Sequence, residues 1–205
     1  MSQRRAGIFN RCPSCRLNNG LCVCSEMKPF TIAGHVSLVV HVSELKLTSN
    51  TAQFVEKLLP GNSKIFIRGH MNETFQAEPV MSAPGRPLFL FPHEGALELN
   101  EEFKEKYPGP YHLIVPDGNW NQAKKVWKRE SLFSTLPTVK LPKGIFTEYK
   151  LRKAPQPEWV STFEATAYAL GILEGEEVKE KMMTFFRHWV KTAIFNRTKD
   201  ENATL

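Results

Sequence analysis

The sequence predicts an α/β fold, a mainly parallel sheet flanked by helices, and three observations carry that prediction. Short apolar runs of strand length, Val36–Val42 and Tyr111–Val115 among them, lack the polar alternation of a half-exposed strand. Segments with apolar residues at helical spacing separate these runs. The stretch Leu113–Lys125, LIVPDGNWNQAKK, joins an apolar run to a helix start through a tight turn. Parallel α/β proteins bind ligands at such places, where strands end and the next helix presents unpaired N–H groups.

A chain of 205 residues can bury one good core with a small appendage. With 41% hydrophobic and 23% charged residues, the composition is that of a globular protein, and the apolar runs are too short to span a bilayer. The stretch MSQRRAGIFNRCPSC is basic but has no apolar run after it, so no secretory signal is read and a cytoplasmic protein without a membrane partner is expected. The net charge of +6 favours an anionic partner, nucleic acid among them.

All four cysteines, Cys12, Cys15, Cys22 and Cys24, fall in one cluster of the form C-x2-C-x6-C-x-C. Four thiolates can surround one zinc ion, and Pro13 and Gly20 let the loop fold back to close the site. A closed four-ligand site is structural rather than catalytic; two disulfides or a redox pair are the alternatives. Residues 1–30 are accordingly read as a zinc-binding segment and 31–200 as the main domain. Arg4, Arg5, Arg11 and Arg16 surround the cluster, either as phosphate contacts or as a solvated basic end.

Further strands are expected at Ser63–Arg68, Leu88–Phe91 and Thr138–Leu141. A helix within Ser43–Pro60 is capped by Thr48 or Ser49 and buries Ala52, Val55, Leu58 and Leu59. Gly69–Arg86 reads as a loop able to cover a site, Leu97–Lys106 as a helix, and Asn119–Arg129 as the helix after the opening turn. Phe146–Val160 is a long proline-rich connection, unusual unless it binds something. Ser161 and Glu164 form a capping box that starts a helix to about Leu170. The final helix, Glu176–Asn196, places Val178, Met182, Phe185, Trp189 and Val190 on one core-facing stripe, and Asn196–Leu205 reads as a frayed tail.

The common nucleotide, kinase, zinc-protease and hydrolase signatures are absent, which directs attention to the loops Pro92–Ala96, Pro116–Trp120 and Leu151–Ser161. Asp117, at a strand end beside a helix start, is the candidate catalytic carboxylate; the alternative is that it caps the helix. Trp120 either stacks on a planar ligand or packs in the core. Arg152 and Lys153 can neutralise a ligand carboxylate or an RNA phosphate. His93, beside the Pro92 turn, is the one histidine placed near a candidate loop. Lys124, Lys125, Lys128 and Arg129 give the helix after Asp117 a basic face, either solvated or holding phosphates.

The set Cys12-x2-Cys15-x6-Cys22-x-Cys24, Ser49-Asn50-Thr51, Leu90-Phe91-Pro92, Asp117-Gly118-Asn119-Trp120-x2-Ala123 and Leu151-Arg152-Lys153 to Glu164-Ala165 resembles the DTW-domain family, in the same order. The resemblance implies a tRNA-uridine aminocarboxypropyltransferase with a fold related to the knotted SPOUT methyltransferases. It further implies transfer of the 3-amino-3-carboxypropyl group of S-adenosylmethionine to N3 of a uridine, leaving methylthioadenosine. Under it Asp117 becomes the catalytic residue, and the cofactor is held by Leu90, Phe91, Pro92, Pro116, Asp117, Gly118, Trp120, Leu151, Arg152, Ser161, Thr162, Glu164 and Ala165. The tRNA meets Arg11, Lys46, Lys124, Lys125, Lys128, Arg129, Arg152 and Lys153, and zinc sits in the cysteine cluster. A SPOUT-type RNA methyltransferase and a non-catalytic RNA-binding protein are the rival readings. Asn119 stands where the family usually has threonine; both cap helices well, so the turn is expected to survive.

Overall fold

The computed structural model describes residues 10–152 and 156–198. Six strands form one all-parallel sheet: β1 (His35–His41), β2 (Ser63–Arg68), β3 (Arg86–Leu90), β4 (Leu97–Glu98), β5 (Tyr111–Asp117) and β6 (Thr138–Lys140). Their order across the sheet is β2-β1-β5-β3-β6-β4. The helices are α1 (Ala52–Leu58), α2 (Glu78–Met81), α3 (Glu101–Lys106), α4 (Trp120–Arg129), α5 (Ser131–Ser134), α6 (Thr162–Glu174) and α7 (Glu176–Thr198).

The unbroken apolar character of the central strands follows from burial on both faces. Val36, Leu38, Val40, Leu113 and Val115 pack into one core with α1, α6 and α7, while Val39, Phe89 and Ile114 pack with Ala123 and Val126 of α4 and Phe133 of α5 on the other side. All seven residues of β5 are buried. From β1 the chain moves to β2 at one side, and from β5 it crosses β3 to reach β6 at the other. The strand order therefore diverges between β1 and β5, and a crevice opens at the carboxyl ends of that pair. Asp117 lies there, in register with Val40.

Four expectations are corrected. Leu97 and Glu98 do not begin a helix but form the edge strand β4 on β6. Helix α3 starts only after Asn100, whose side chain accepts from Phe103 N at 2.8 Å. Two exposed residues at a sheet edge leave no burial pattern to read. Neither Thr48 nor Ser49 caps α1, which has Thr51 at its N-cap without a side-chain bond; Ser49 is used elsewhere, its carbonyl accepting from Tyr149 and its hydroxyl from Arg152. Helix α6 runs to Glu174, because Gly175 is the first residue to leave helical geometry. Asn196 is not frayed: it is buried within α7, and its Oδ1 accepts from Asn18 N at 3.3 Å. Residues 199–205 lie outside the described residues, as do Arg4 and Arg5.

The cysteine loop is roped to this core. Trp189 of α7 donates from Nε1 to the Cys15 carbonyl at 3.0 Å, and Lys57 of α1 donates to the Ser14 carbonyl at 2.7 Å and hydroxyl at 2.8 Å. Cys15, Leu17 and Val23 belong to the same apolar core as α1 and α7. Truncating Trp189, which is 1% exposed, leaves a cavity and an unpaired carbonyl. Trp189→Ala should cost about 3–5 kcal/mol in urea unfolding.

Candidate active site

Asp117 closes β5 and is 6% exposed, yet it does not cap α4. That work falls to Asn119: its Oδ1 accepts from Gln122 N at 3.0 Å, and Gln122 Oε1 accepts from Asn119 N at 2.8 Å. The capping box is complete with asparagine, so the turn survives the departure from the family pattern. Gly118 fits between because a Cβ there would stand 2.8 Å from Gln122 Oε1. Freed from capping, the Asp117 carboxylate is clamped by side chains from two other elements. Thr162 Oγ1, at the start of α6, donates to Oδ1 at 2.5 Å, and Asn50 Nδ2, ahead of α1, donates to Oδ2 at 2.8 Å.

Burial dominates the electrostatics and raises the Asp117 pKa from 3.8 to about 6. The Thr162 hydrogen bond opposes this, the Glu44 charge adds to it, and Asn50 and Arg152 oppose it further. Arg152 is itself neutralised, with Nη2 3.0 Å from Glu44 Oε2 and Nε donating to Ser49 Oγ at 3.0 Å.

Two adjoining cavities meet beside Asp117. The larger, about 700 Å³, is mostly apolar and lined by Leu90, Phe91, Pro92, Val115, Pro116, Gly118, Trp120, Ala123, the segment 141–145, Glu158, Trp159, Val160, Thr162 and Ala165. Its size suits a nucleoside-bearing small molecule. The smaller, about 290 Å³, has more polar side chains in its lining and is bounded by Glu44, Asn50, Thr51, Asp117, Tyr149, Arg152 and Ser161. Gly118, Trp120, Trp159, Val160 and Thr162 line both. The Trp120 and Trp159 rings approach to 4.5 Å between centroids, and Trp120 is 38% exposed, so it is a wall of the site rather than core.

Most of the expected cofactor residues converge here: Leu90, Phe91, Pro92, Pro116, Gly118, Trp120, Thr162 and Ala165 at the larger cavity, and Asp117, Arg152 and Ser161 at the smaller. Two do not line either. Leu151 packs against the core and accepts from Arg197 through its carbonyl. Glu164 is fully buried, its carboxylate accepting from Thr147 Oγ1, Glu148 N and Ser161 N, which holds the 147–148 segment against the start of α6. His93 accepts from Gly95 N and stacks on Trp127 at 4.5 Å, outside both cavities. The 69–86 stretch carries α2 and lines neither cavity.

The segment 141–145 after β6, with Lys143, was not anticipated; nor were Glu44, Thr147 and Tyr149. The signal that could have found it is a strand end followed by Pro142-Lys-Gly144. Of the residues assigned to RNA, Lys124, Lys125, Lys128 and Arg129 are exposed on α4, and Lys46 is exposed on the short helix 42–46. None of these five has an ion-pair partner among the described residues. Arg11 instead donates to the Arg16 carbonyl within the cysteine loop at 2.9 Å. Lys153 lies outside the described residues.

The four cysteines are free thiols, and their sulfurs lie within 4.8 Å of one another. Cys12 Sγ is 3.5 Å from Cys24 Sγ, and Cys15 Sγ is 3.8 Å from Cys22 Sγ. Tetrahedral zinc with bonds of about 2.3 Å places its sulfurs at about 3.8 Å, so the donor set fits that ion.

The DTW domain matches residues 9–194 of the chain. The chain belongs to the DTW domain family. Among curated proteins, it is 30% identical over 169 residues to tRNA-uridine aminocarboxypropyltransferase 2 of Macaca fascicularis, covering 80% of this chain and 56% of that one. It is 27% identical over 172 residues to the protein of the same name in Drosophila melanogaster, covering 80% and 67%. To tRNA-uridine aminocarboxypropyltransferase A of Arabidopsis thaliana it is 25% identical over 209 residues, covering 88% and 79%. This DTW chain thus spans a little over half the length of the first of these relatives. No solved structure matches it. Among the described residues, no helix is long and apolar enough to cross a membrane.

The raised pKa of Asp117 has a thermodynamic signature. Between about pH 4 and 6 the folded DTW domain holds this proton more tightly than the unfolded chain, so this contribution to stability falls as pH rises through that window. A shift of about two units corresponds to roughly 3 kcal/mol. Urea unfolding from pH 4 to 7 should show wild type losing about that much relative to Asp117→Asn.

Proposed function

We propose that this DTW domain transfers the 3-amino-3-carboxypropyl group of S-adenosylmethionine to N3 of a uridine in tRNA. The observation that carries the reading is the buried Asp117 carboxylate, released from capping and clamped where two cavities meet. The names of the curated relatives support it.

The larger cavity suits the cofactor. Leu90, Phe91, Val115, Ala123 and Ala165 provide apolar surface for adenine and thioether, and Lys143 provides a cation for the amino-acid carboxylate. When bound, the sulfonium renders the γ-carbon electrophilic, so that as the N3–C bond forms the C–S bond breaks and its electron pair stays on sulfur, giving neutral methylthioadenosine. The chain's own residues make N3 a competent nucleophile. Asp117, with a pKa of about 6, is ionised near neutrality and accepts the N3 proton before losing it to solvent. Thr162 and Asn50 fix the carboxylate's orientation, and the Trp120 and Trp159 rings, in contact at a 45° tilt, shield it from water on one side.

The exposed cations of α4 begin one turn beyond Trp120, which suits phosphates flanking the target base. Zinc in the cysteine cluster would be structural, with all four positions filled by thiolates and none left for chemistry.

Incubation with S-adenosylmethionine and bulk tRNA should yield aminocarboxypropyluridine by nucleoside mass spectrometry; methylated uridine instead would rule this reaction out. Asp117→Ala should fold and lose at least about a hundredfold in rate, the usual worth of a general base. Purified protein should carry one zinc per chain by elemental mass spectrometry, and chelation should lower its melting temperature.

A further inference from the structure

The two cavities differ in the polar side chains that line them, and the difference sorts the two substrates. We propose that the smaller cavity, lined by the Asp117 carboxylate and several side-chain donors, is the pocket for the target uracil and that these donors select uridine over cytidine; this rests on the transferase reading above. Asp117 lines this cavity and not the larger one. Around it stand groups that still have protons to give. Asn50 spends one amide N–H on Asp117, and the other has no partner among the described residues. Thr51 Oγ1 accepts from Phe163 N, and Ser161 Oγ accepts from Glu164 N, leaving both hydroxyl protons available. Arg152 engages Nε and Nη2, and its Nη1 has no partner among the described residues.

One anionic acceptor set among several donors is the complement of a uracil edge, which presents N3–H between the O2 and O4 carbonyls. Cytosine offers a lone pair at N3 and an amino group at C4, so it would place a lone pair against the carboxylate and a donor against donors. Sites that hydrogen-bond a specific edge reject such an analogue strongly, because buried polar groups are left unpaired.

The arrangement of charge separates this pocket from the cofactor's. Arg152 is already paired with the buried Glu44, so the pair is close to neutral and suits an uncharged base better than a carboxylate. Lys143, a cation with no ion-pair partner among the described residues, lines the other cavity. Trp120 and Trp159 line both and would stack on a base turned out of its helix.

Removing Arg152 alone strands the Glu44 carboxylate, so the test uses the paired variant Glu44→Gln/Arg152→Gln, with Lys143→Met beside it. Binding of S-adenosylhomocysteine is measured by titration calorimetry, and KM for bulk tRNA by methylthioadenosine release. The paired variant should bind S-adenosylhomocysteine within twofold of wild type while its KM for tRNA rises at least tenfold. Lys143→Met should weaken S-adenosylhomocysteine at least fivefold and leave the KM for tRNA within twofold. A paired variant that loses S-adenosylhomocysteine affinity as much as tRNA affinity overturns the pocket assignment alone. Wild-type protein that releases no methylthioadenosine overturns the transferase reading, and the pocket with it. Replacing uridine by cytidine at the modified position should abolish transfer; retained transfer to cytidine overturns the selectivity.

Discussion

The Asp117 carboxylate is held in place by two hydrogen bonds, from Thr162 and from Asn50, and these join three parts of the chain that are far apart in sequence. Burying a carboxylate is costly unless donors replace its water. Here the donors come from the approach to α1 and the first turn of α6, so both must be seated against the end of β5. Much of the surrounding architecture serves that requirement. Glu164 fixes the start of α6 by accepting from Ser161 N, and through Thr147 and Glu148 it brings the long connection back to the site. Tyr149 and Arg152 then hold Ser49, next to Asn50.

The turn after β5 illustrates how local chemistry can release a residue for function. An aspartate before a helix ordinarily serves as its cap. In this chain the cap is displaced two residues onward, to Asn119, and Gln122 completes the box. Gln122 extends further, its Nε2 lying 3.0 Å from His41 Nδ1, so the same side chain fastens α4 to the end of β1. The crevice between β1 and β5 is thus bridged at its rim, beside the carboxylate it contains.

The sheet was legible in the sequence where strands are buried on both faces: β1 and β5 differ from expectation only at their ends, and the edge strand β2 falls at Ser63–Arg68 as expected although none of its residues is fully buried. The edge strand β4 was not, because two exposed residues have no periodicity, and the absent cap of α1 reflects tertiary contacts that engage Ser49 elsewhere. At the site, strand ends and turn chemistry indicated Asp117, Pro92 and Trp120. The resemblance carried Thr162 and Ala165. Glu44 and Tyr149, which help to line the smaller cavity, are joined to the site by contacts spanning about a hundred residues, which no local pattern encodes. Glu164 shows the converse. Its capping box was readable, and the fold uses the whole carboxylate as a strut.

The cysteine loop reaches across the chain to α7, through Cys15 to Trp189 and Asn18 to Asn196, separations of 174 and 178 residues. Closing contacts so distant in sequence carries a loop-closure entropy cost that the rest of the fold must offset. The loop is a latch between the cysteine segment and the last helix. Because Lys57 ties the same loop to α1, just beyond Asn50, fastening the latch also fixes the strand-end clamp from behind. In this fold the thiol cluster and the carboxylate clamp lean on the same helix, one through Lys57 and the other through the segment that leads into it.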